Sequence, residues 1–400
     1  MRPKRLISLL VAVCMMITML PLSAVTAFAA DTSSSTVYEA TVDGYKYAYT
    51  VNADGNATIT DFLGPVASTS TGSYDITIPE KLDDHPVTGL GESSFSGTYS
   101  PDHPKNYTLL SFCNQIQSVT IPESVTSIGK SAFEDCSNLD SLTIKGVATS
   151  IGAYAFGSCT SLTSLSLVGS FQTIGDYAFA YTPHINGNAT ISSGDSRVPG
   201  GLLLPDSLTY LGEGAFLYNG YLVFTYNSQT LQVAMSDLSS SYTGIIAVQF
   251  GEGLTEVGDA AFSYNANLAA IIDFGSLTAI APSMFEGCAE LSSVTLPDTI
   301  RTIGLGAFAN CTSLEEIELP EGLTEIAQAV FAGTALTQID LPSTVTAIGE
   351  SAFEGVAISS VDLTNVTTIG ARAFYGTLLT EVSSDSVISV GDEALSLIHI

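Results

Sequence analysis

The fold is decided by a stretch that runs from Leu291 to Cys311, with the sequence L-S-S-V-T-L-P-D-T-I-R-T-I-G-L-G-A-F-A-N-C. Leu291, Val294 and Leu296 are the apolar positions of its first part, and the last two flank a polar residue. Such period-two alternation is typical of a strand with one buried face. Pro297 has no N–H to donate to a neighbouring strand, so we expect the strand to end there.

The second part of the stretch predicts a return leg. Ile303 begins this leg as a buried aliphatic, and Gly304 is expected to allow a tight turn without strain at Cβ. Ala307 and Phe308 are expected to open a short helix or 3₁₀ turn, with the Phe308 ring in the core. One such unit is too small to bury its own apolar face, so it must stack on another.

Copies of this unit return along the chain and align on one Phe. From Phe133 to Phe179, and again from Phe262 to Phe331, the step is 23 residues. Ile, Leu or Val stands five places before each anchor, and Gly follows that residue in nine of eleven copies. A fixed period in the twenties predicts a solenoid with a continuous core. The anchors are Phe95, Phe133, Phe156, Phe179, Phe216, Phe262, Phe285, Phe308, Phe331, Phe353 and Phe374.

The pattern I-G-x-x-A-F-x-x-C-x-x-L-x-x-L-x-L-P, repeated from Leu90 to about Gly391, resembles the bacterial leucine-rich repeats of the BspA type. The resemblance implies an α/β repeat solenoid over residues 65–394, with short parallel strands on the concave face and short helices or 3₁₀ turns on the convex face. It also implies a secreted or cell-surface, adhesin-like protein without enzymatic activity, which binds proteins of host or neighbouring-cell surfaces. The alternative is a structural stalk that presents a C-terminal catalytic or wall-binding module.

The net charge of the chain indicates which classes of partner it favours and which it repels. The chain has 40 acidic and 11 basic residues among 400, and three of the basic ones lie in the first five positions. Without its first 29 residues the chain has 8 basic against 40 acidic residues, a formal net charge of −32. Such a surface repels nucleic acid and anionic lipid headgroups and favours cationic partners.

The N-terminus predicts export. Residues 1–29 begin with three basic residues, continue through an apolar segment from Leu6 to Leu20, and end at A-F-A, an A-x-A cleavage site. This is the organisation of a secretory signal peptide; the alternative, a membrane anchor, fits the short segment less well. We expect a secreted or cell-surface bacterial protein, a disordered leader at residues 30–36, and no membrane span after cleavage.

A β-hairpin is expected to cap the first coil of the solenoid. Within residues 37–64, every second residue of one run is aromatic or aliphatic, namely Tyr45, Tyr47, Tyr49 and Val51, which predicts a strand. Asp54-Gly55 predicts a turn that leads into a second strand. Terminal repeats must cover an otherwise open core. The sequence therefore predicts an N-terminal β cap.

Three insertions interrupt the period, near residues 96–110, 182–200 and 217–244. Each follows a core Phe, so all three are expected on one side of the solenoid, where repeat proteins often bind partners. Tyr218, Tyr221 and Tyr226 are candidate ligand-binding residues in the third insertion, which is alternatively a degenerate repeat. The other interpretation is that the insertions are neutral.

Residues 395–400 read L-S-L-I-H-I where the repeat requires Phe. They resemble the translation of a transposon-end adapter used in sequencing libraries. We therefore expect that these residues are a sequencing artefact and that the natural chain continues.

No motif predicts catalysis or a cofactor. The sequence has no G-x-S-x-G, P-loop, G-x-G-x-x-G, H-E-x-x-H or C-x-x-C pattern. Asp83, Asp84 and His85 are able to meet a metal ion, but a solvated turn is the better interpretation. We expect neither an enzyme nor a metal or cofactor site.

Five cysteines recur at one repeat position. Cys113, Cys136 and Cys159 are one coil apart, and so are Cys288 and Cys311. Stacked coils bring such positions near disulfide range. Buried free thiols are favoured because the position is small and inward-facing, and disulfides remain the alternative in an exported protein.

A polar row on the strands is the last candidate site. Thr295, Glu318, Asp340 and Asp362 each lie next to an inward aliphatic, so the exposed sheet becomes acidic in the second half of the chain. Like charges on adjacent strands repel when they are directly opposite, and a basic protein segment or a divalent cation offsets that repulsion. The alternative is a solvated face. The candidate residues are Glu316, Glu318, Gln338, Asp340, Asp362 and Glu381, the partner is a protein ligand with basic segments or of the extracellular-matrix type, and a monomer is expected.

Overall fold

The repeat organisation was examined in a computed structural model that describes residues 36–66, 72–96, 110–146, 150–167, 170–182, 207–218, 247–250, 253–266, 268–380, 382, 384 and 386–396. The expected signal peptide and most of the leader lie outside the described residues, as do nearly all of the three insertions and residues 397–400. Within the described part, no helix has the length and apolarity that a membrane span requires.

The described residues form short strands and one short helix. In the first part these are β1 (Tyr38–Val42), β2 (Tyr45–Val51), β3 (Ala57–Pro65), β4 (Tyr74–Thr77), β5 (Lys81–Leu82), β6 (His85–Leu90), α1 (Leu110–Cys113), β7 (Ile116–Ile121), β8 (Ser127–Ile128), β9 (Ser141–Ile144), β10 (Ser150–Ile151), β11 (Ser164–Leu167) and β12 (Thr173–Ile174). They continue as β13 (Tyr210–Leu211), β14 (Ala247–Gln249), β15 (Glu256–Val257), β16 (Ala270–Asp273), β17 (Ala279–Ile280), β18 (Ser293–Thr295), β19 (Thr302–Ile303), β20 (Glu316–Glu318), β21 (Glu325–Ile326), β22 (Ala347–Ile348), β23 (Thr368–Ile369) and β24 (Ser389–Val390).

The coils contribute to two kinds of parallel ladder, and the last coils contribute only to the second. The first ladder contains the strands that precede Pro or the equivalent residue, as in β4–β7–β9–β11 and in the pairs β14–β16 and β18–β20. The second contains two-residue strands that end in the buried aliphatic, such as β8, β10 and β12, where Ile128, Ile151 and Ile174 pair in register. Neighbours in a ladder come from successive coils, so the predicted parallel strands are confirmed.

Stacked Phe rings form the centre of the core. Successive anchors from Phe95 to Phe374 stack with ring centroids 4.6–6.1 Å apart. All eleven rings are buried. Large aromatic rings contribute much of the apolar area that stabilises a core, so the ladder predicted from the period is confirmed.

The turns around the anchor differ from the expectation. Gly306, Phe308 and Asn310 donate their N–H groups to carbonyls of the next coil, at 2.9, 3.0 and 2.8 Å. Alternate N–H groups, those of Ala307 and Ala309, bond three residues back within the coil. A helix needs every N–H for its own chain, so the short helix expected after the aliphatic is not formed in the described coils. Each bond three residues back closes a single turn with 3₁₀ spacing, and a 3₁₀ turn there stays a prediction. Of the described residues only α1 is helical.

The glycine that recurs after the aliphatic is required for a different reason from the one expected. Gly304 does not have a positive φ; instead, a Cβ on it would lie 2.4 Å from the backbone N of Pro282 in the preceding coil. Gly152 has the same constraint, since its Cβ would lie 2.6 Å from the N of Lys130. Glycine is required because the backbones of neighbouring coils approach closely.

The N-terminal segment begins with the expected hairpin. β2 and β3 pair antiparallel, with Gly55 at φ +82° in the turn between them, and β1 pairs with β2 on the other side. β3 then pairs in parallel with β6, which joins this segment to the second ladder. Tyr47 and Tyr49 are buried. The capping role itself stays a prediction.

Candidate functional site

The acidic strand residues predicted as a site are exposed where the structure forms a strand. Glu316 and Glu318 lie on the outward side of β20, and Ile317 between them is buried. The strand is held in register by β18, since Glu316 pairs with Ser293 and Glu318 with Thr295. Two carboxylates are therefore presented by a backbone that is fixed on one side.

The rest of the predicted row is less regular. Gln338 and Asp340 are exposed beside buried Ile339, but residues 337–341 form no strand, and no ladder pairs Glu318 with Asp340. Asp362 is exposed and accepts hydrogen bonds from the N–H and Oγ1 of Thr364, at 2.9 and 2.5 Å.

These bonds to Thr364 hold the pKa of Asp362 below its usual value. The D-x-T spacing is a signal for this local turn, and it was available in the sequence. Glu381 lies outside the described residues.

A row of stacked tyrosines lies beside the second and third insertions. Tyr218, predicted as a loop ligand residue, stacks between Tyr181 and Tyr264 with centroid distances of 5.3 and 5.1 Å. A second row brings Tyr154 and Tyr177 together at 5.1 Å. We call these five residues the tyrosine face. Tyr221 and Tyr226 lie outside the described residues.

Carboxylates border the tyrosine face. The hydroxyl of Tyr264 donates to Glu286 at 3.0 Å, that of Tyr177 donates to Glu213, and that of Tyr210 donates to Asp176 at 3.2 Å. The hydrogen bond to its carboxylate is the main cause that raises the pKa of Tyr177 and of Tyr264. Aromatic and anionic groups therefore lie next to each other on this surface.

Sequence reasoning missed Tyr154, Tyr177, Tyr181 and Tyr264. A signal was present, since tyrosine recurs two places before the anchor Phe or two places after it. The insertions obscured this recurrence because they stretch two of the steps between these copies well beyond one period.

A polar cleft of about 590 Å³ was also not predicted. It is lined by Gly72, Ser73, Asn114, Gln115, Gln117, Asn138, Asp140 and Ser161. Ser137 donates to the side-chain oxygen of Asn114 at 3.0 Å, and Thr163 donates to Asp140, so part of its polar lining is used between coils. The cleft adds no charged pair or nucleophile.

The cysteine positions are divided between the two alternatives. Cys113 and Cys136 form a disulfide with a Cα–Cα distance of 5.0 Å, and Cys159, Cys288 and Cys311 are buried free thiols. Burial raises the pKa of the Cys311 thiol to about 12. A buried thiol that stays protonated is a poor nucleophile, so these three residues belong to the core.

The residues considered for a metal site have other partners. Asp83 accepts the hydroxyl of Tyr49 at 2.5 Å, and Nδ1 of His85 lies 2.9 Å from the carbonyl oxygen of Gly55. Both contacts tie the turn to the N-terminal hairpin. In the described part of the chain, no three His, Cys, Asp or Glu side chains are grouped closely enough to hold a metal ion.

Comparisons with known proteins agree with this geometry. A family model described as the BspA type leucine rich repeat region (6 copies) matches residues 106–198, 201–292 and 278–397. A leucine-rich repeat protein from Bacteroides ovatus has a similar structure, with a TM-score of 0.56 and 22% identity over 89% of this chain and 79% of that chain. At this identity the likeness shows the fold alone.

Looser matches add no argument. A leucine rich cell surface protein from Faecalibacterium prausnitzii has 22% identity over 88% of this chain and 100% of that chain, with a TM-score of 0.42. The pneumococcal vaccine antigen PcpA has 17% identity over 90% of this chain and 99% of that chain, with a TM-score of 0.34. A comparison with curated protein sequences finds no match.

Proposed function

The chain belongs to the BspA-type leucine-rich repeat family, and from this membership we propose that it is an exported, non-enzymatic binding protein of the bacterial surface. Its adhesin-like role is to recognise proteins on host or neighbouring-cell surfaces. Repeat folds present extended surfaces that suit protein recognition, and function has to be argued from such a surface because the fold alone does not supply it.

One observation carries the proposal that the partner is basic. β20 presents Glu316 and Glu318 outward on a strand whose backbone is fixed by β18, including the bond from Leu296 N–H to the Glu318 carbonyl at 3.1 Å. Because the backbone is already fixed, only side-chain freedom is lost when these exposed carboxylates pair with a cation. The chain carries 40 acidic residues against 11 basic ones, so electrostatic attraction extends beyond the strand.

Binding of the full chain to an immobilised extracellular-matrix extract and to an oligolysine peptide tests this proposal. We expect binding that weakens as salt rises, because surface charges are screened. The double variant Glu318→Gln with Asp340→Asn should bind about three- to tenfold more weakly, as expected for the loss of two rim charges.

A matched control loses the same charge elsewhere. Glu290 and Asp298 are exposed in the same half of the chain, and Glu290→Gln with Asp298→Asn should bind as the parent does. Equal loss in both double variants would show that only net charge matters, and the strand site would be wrong.

A further inference from the structure

From the coil of Phe133 to that of Phe374, two turn positions in each coil have left-handed backbone. They lie two residues before and two residues after the core Phe, and nearly every positive-φ residue of the repeats stands at one of them. At the position two residues after the core Phe, φ lies between +56° and +60° in five successive coils, at Asp135, Ser158, Tyr181, Tyr218 and Tyr264. Later coils place Gly287, Asn310, Gly333, Gly355 and Gly376 there.

Tyrosine is a poor residue for this conformation. Positive φ crowds Cβ, and a bulky residue in it is an outlier that glycine or asparagine would avoid. Burial does not explain the choice, because Tyr181, Tyr218 and Tyr264 remain 48%, 45% and 42% exposed. Strained residues of this kind cluster at functional sites. We therefore expect these tyrosine rings to have a role in binding and not in core packing.

The row of rings has one closed end and one end at which, among the described residues, no further tyrosine of the row follows. At the closed end, a Cβ on Gly287 would lie 2.6 Å from the Tyr264 ring, so the backbone of the next coil packs against it. At the other end, the coil before Tyr181 has Ser158 at the same turn position. Ser158 offers only a hydroxymethyl group, and the outer face of Tyr181 is not covered by another ring of the row.

A carboxylate stands one coil beyond this gap. Asp135 is exposed and precedes Ser158 in the row. The coils are joined by bonds from Asp135 N–H to the Gly157 carbonyl and from Ser158 N–H to the Ala180 carbonyl, both at 2.9 Å. Two coil spacings, about 10 Å, therefore separate the Asp135 and Tyr181 positions, enough for one planar group between carboxylate and ring.

The surroundings favour a cation in that gap. From Glu123 to Glu213 the sequence holds three basic residues, Lys130, Lys145 and Arg197, against eight Asp and Glu residues. The pKa of Tyr154 is raised first by burial and next by the charges of Glu134, Glu213 and Asp176. Tyr181 also contributes to this rise. The open end of the row thus lies in a negative field.

The chain contains an internal example of the same chemistry. Arg372, at the turn position two residues before Phe374, has its guanidinium carbon 3.9 Å from the centroid of the Tyr375 ring. The same group pairs with Glu354 at 2.5 Å and with Glu393, one coil further, at 3.0 Å. Ring, guanidinium and carboxylate fit together within the spacing of these turns.

We propose that the gap over Ser158 is a binding site for an arginine side chain on a basic segment of a partner protein, with the guanidinium stacked on Tyr181 and paired with Asp135. The site rests on the proposed function, since it assumes a protein partner, but it lies on the turns and not on β20. Arginine suits it better than lysine because the guanidinium is planar, stacks on aromatic faces and is weakly hydrated.

Filling the gap is the decisive test. Full-chain parent and Ser158→Tyr are titrated with an arginine-rich peptide and with lysine and citrulline versions of equal length. Ser158 already has the backbone that the next three coils combine with tyrosine, so the variant should fold with unchanged circular dichroism. We expect it to bind the arginine peptide about tenfold more weakly, although it adds an aromatic ring and removes no charge.

Two further variants separate the components of the site. Tyr181→Asn and Asp135→Asn should each weaken arginine binding about threefold or more, in the range of exposed cation–π and surface ion pairs. Tyr38→Asn, which removes a tyrosine of similar exposure (46%) outside the row, and Glu290→Gln should have no effect. The parent should prefer arginine to lysine and bind citrulline least.

Every other result counts against the site. Parent-like or tighter binding by Ser158→Tyr, or a parent that does not bind the arginine peptide, overturns it while leaving protein recognition to its test on extracellular-matrix extract. Loss of binding in Glu318→Gln with Asp340→Asn, but not in Ser158→Tyr, would place the basic segment at Glu318 and Asp340. Tyr181-dependent binding of a neutral oligosaccharide instead of the peptide would also overturn the proposal.

Discussion

The coils of residues 150–266 and those of residues 278–396 have the same core but different turns. In both, stacked Phe rings continue without interruption, and a buried aliphatic lies in the second ladder. At the turn position after the anchor, however, Tyr218 in one region corresponds to Gly355 in the other, with φ +57° and +72°. The backbone is left-handed at both positions, but only the second region has glycine there, which adopts this conformation without strain at Cβ.

This difference separates what the fold requires from what the surface uses. Positions that stack between coils hold the same residue type along the chain because each is constrained by its neighbours on both sides. Most of the turn positions are exposed or half-buried, although Ser93 and Ser131 are buried, and they hold Gly, Asn, Ser, Asp, Glu, Ala, Arg or Tyr. Change concentrated in such positions alters recognition without altering the core.

The largest expected effect tests whether the cores of the two regions are equivalent. Phe156→Ala and Phe308→Ala each remove a buried ring from the middle of the stack, and each should lower the free energy of unfolding by about 3–5 kcal/mol. Urea denaturation followed by circular dichroism measures both. Thr295→Ser, on an exposed strand position, should change it by less than about 0.5 kcal/mol.

The two Phe variants should agree with each other within the uncertainty of the extrapolation. A loss at Phe156 less than half of that at Phe308 would show that the tyrosine-bearing coils rely on contacts outside the stack. The claim of one continuous core would then be wrong.

Periodicity made the core predictable, whereas the backbone of the turns was not. Phe308 and Ile303 were assigned correctly because a residue repeated at fixed spacing must contact its own copies. The helix expected at Ala307 failed because alternate N–H groups bond to the next coil, and local propensity carries no information on such bonds.

The candidate site was harder to predict than the core. Glu316 and Glu318 were placed correctly on the outward side of a strand, but Asp340 and Asp362 lie where no strand forms, and Asp362 turns toward Thr364. Most of the tyrosine face was not assigned at all. Surface side chains contact solvent and partners and not their own copies in neighbouring coils, so their arrangement leaves little periodicity in the sequence.

The next largest change in the free energy of unfolding is expected when residues at the turn position after the anchor are substituted. Gly355→Tyr places a ring where a Cβ would meet nothing within 4 Å, so the change isolates the backbone penalty. It should lower the free energy of unfolding by about 1–2 kcal/mol. Tyr218→Asn should change it by less than about 1 kcal/mol, because a better backbone residue offsets the two lost stacking contacts.

Hydrogen exchange read separately for peptides of residues 150–266 and 278–396 localises these effects, since repeat proteins open region by region. Each substitution should change protection mainly in its own region. If Tyr218→Asn destabilised the chain as much as Gly355→Tyr, the tyrosines would be structural residues and would not be explained by recognition.

The smallest expected effect is an alkaline loss of stability that belongs to the tyrosine-bearing coils. Burial, then the charge of Asp176 and the hydrogen bond to it, raise the pKa of Tyr210 to about 12. In the unfolded chain tyrosine titrates near 10, so the unfolded state releases its proton first as pH rises. The stabilisation is therefore complete below pH 10 and is lost as pH rises through about 12. Because the Tyr210 ring is only half-buried, solvent screening should keep the loss below about 1 kcal/mol. Urea midpoints at pH 8 and pH 11 measure it, and Tyr210→Phe, which cannot ionise, should lose less than the parent over that interval. Asp176→Asn should also lose less, since it removes the charge that opposes ionisation. An alkaline loss in Tyr210→Phe equal to that of the parent would move the effect to other groups and remove this distinction between the two regions.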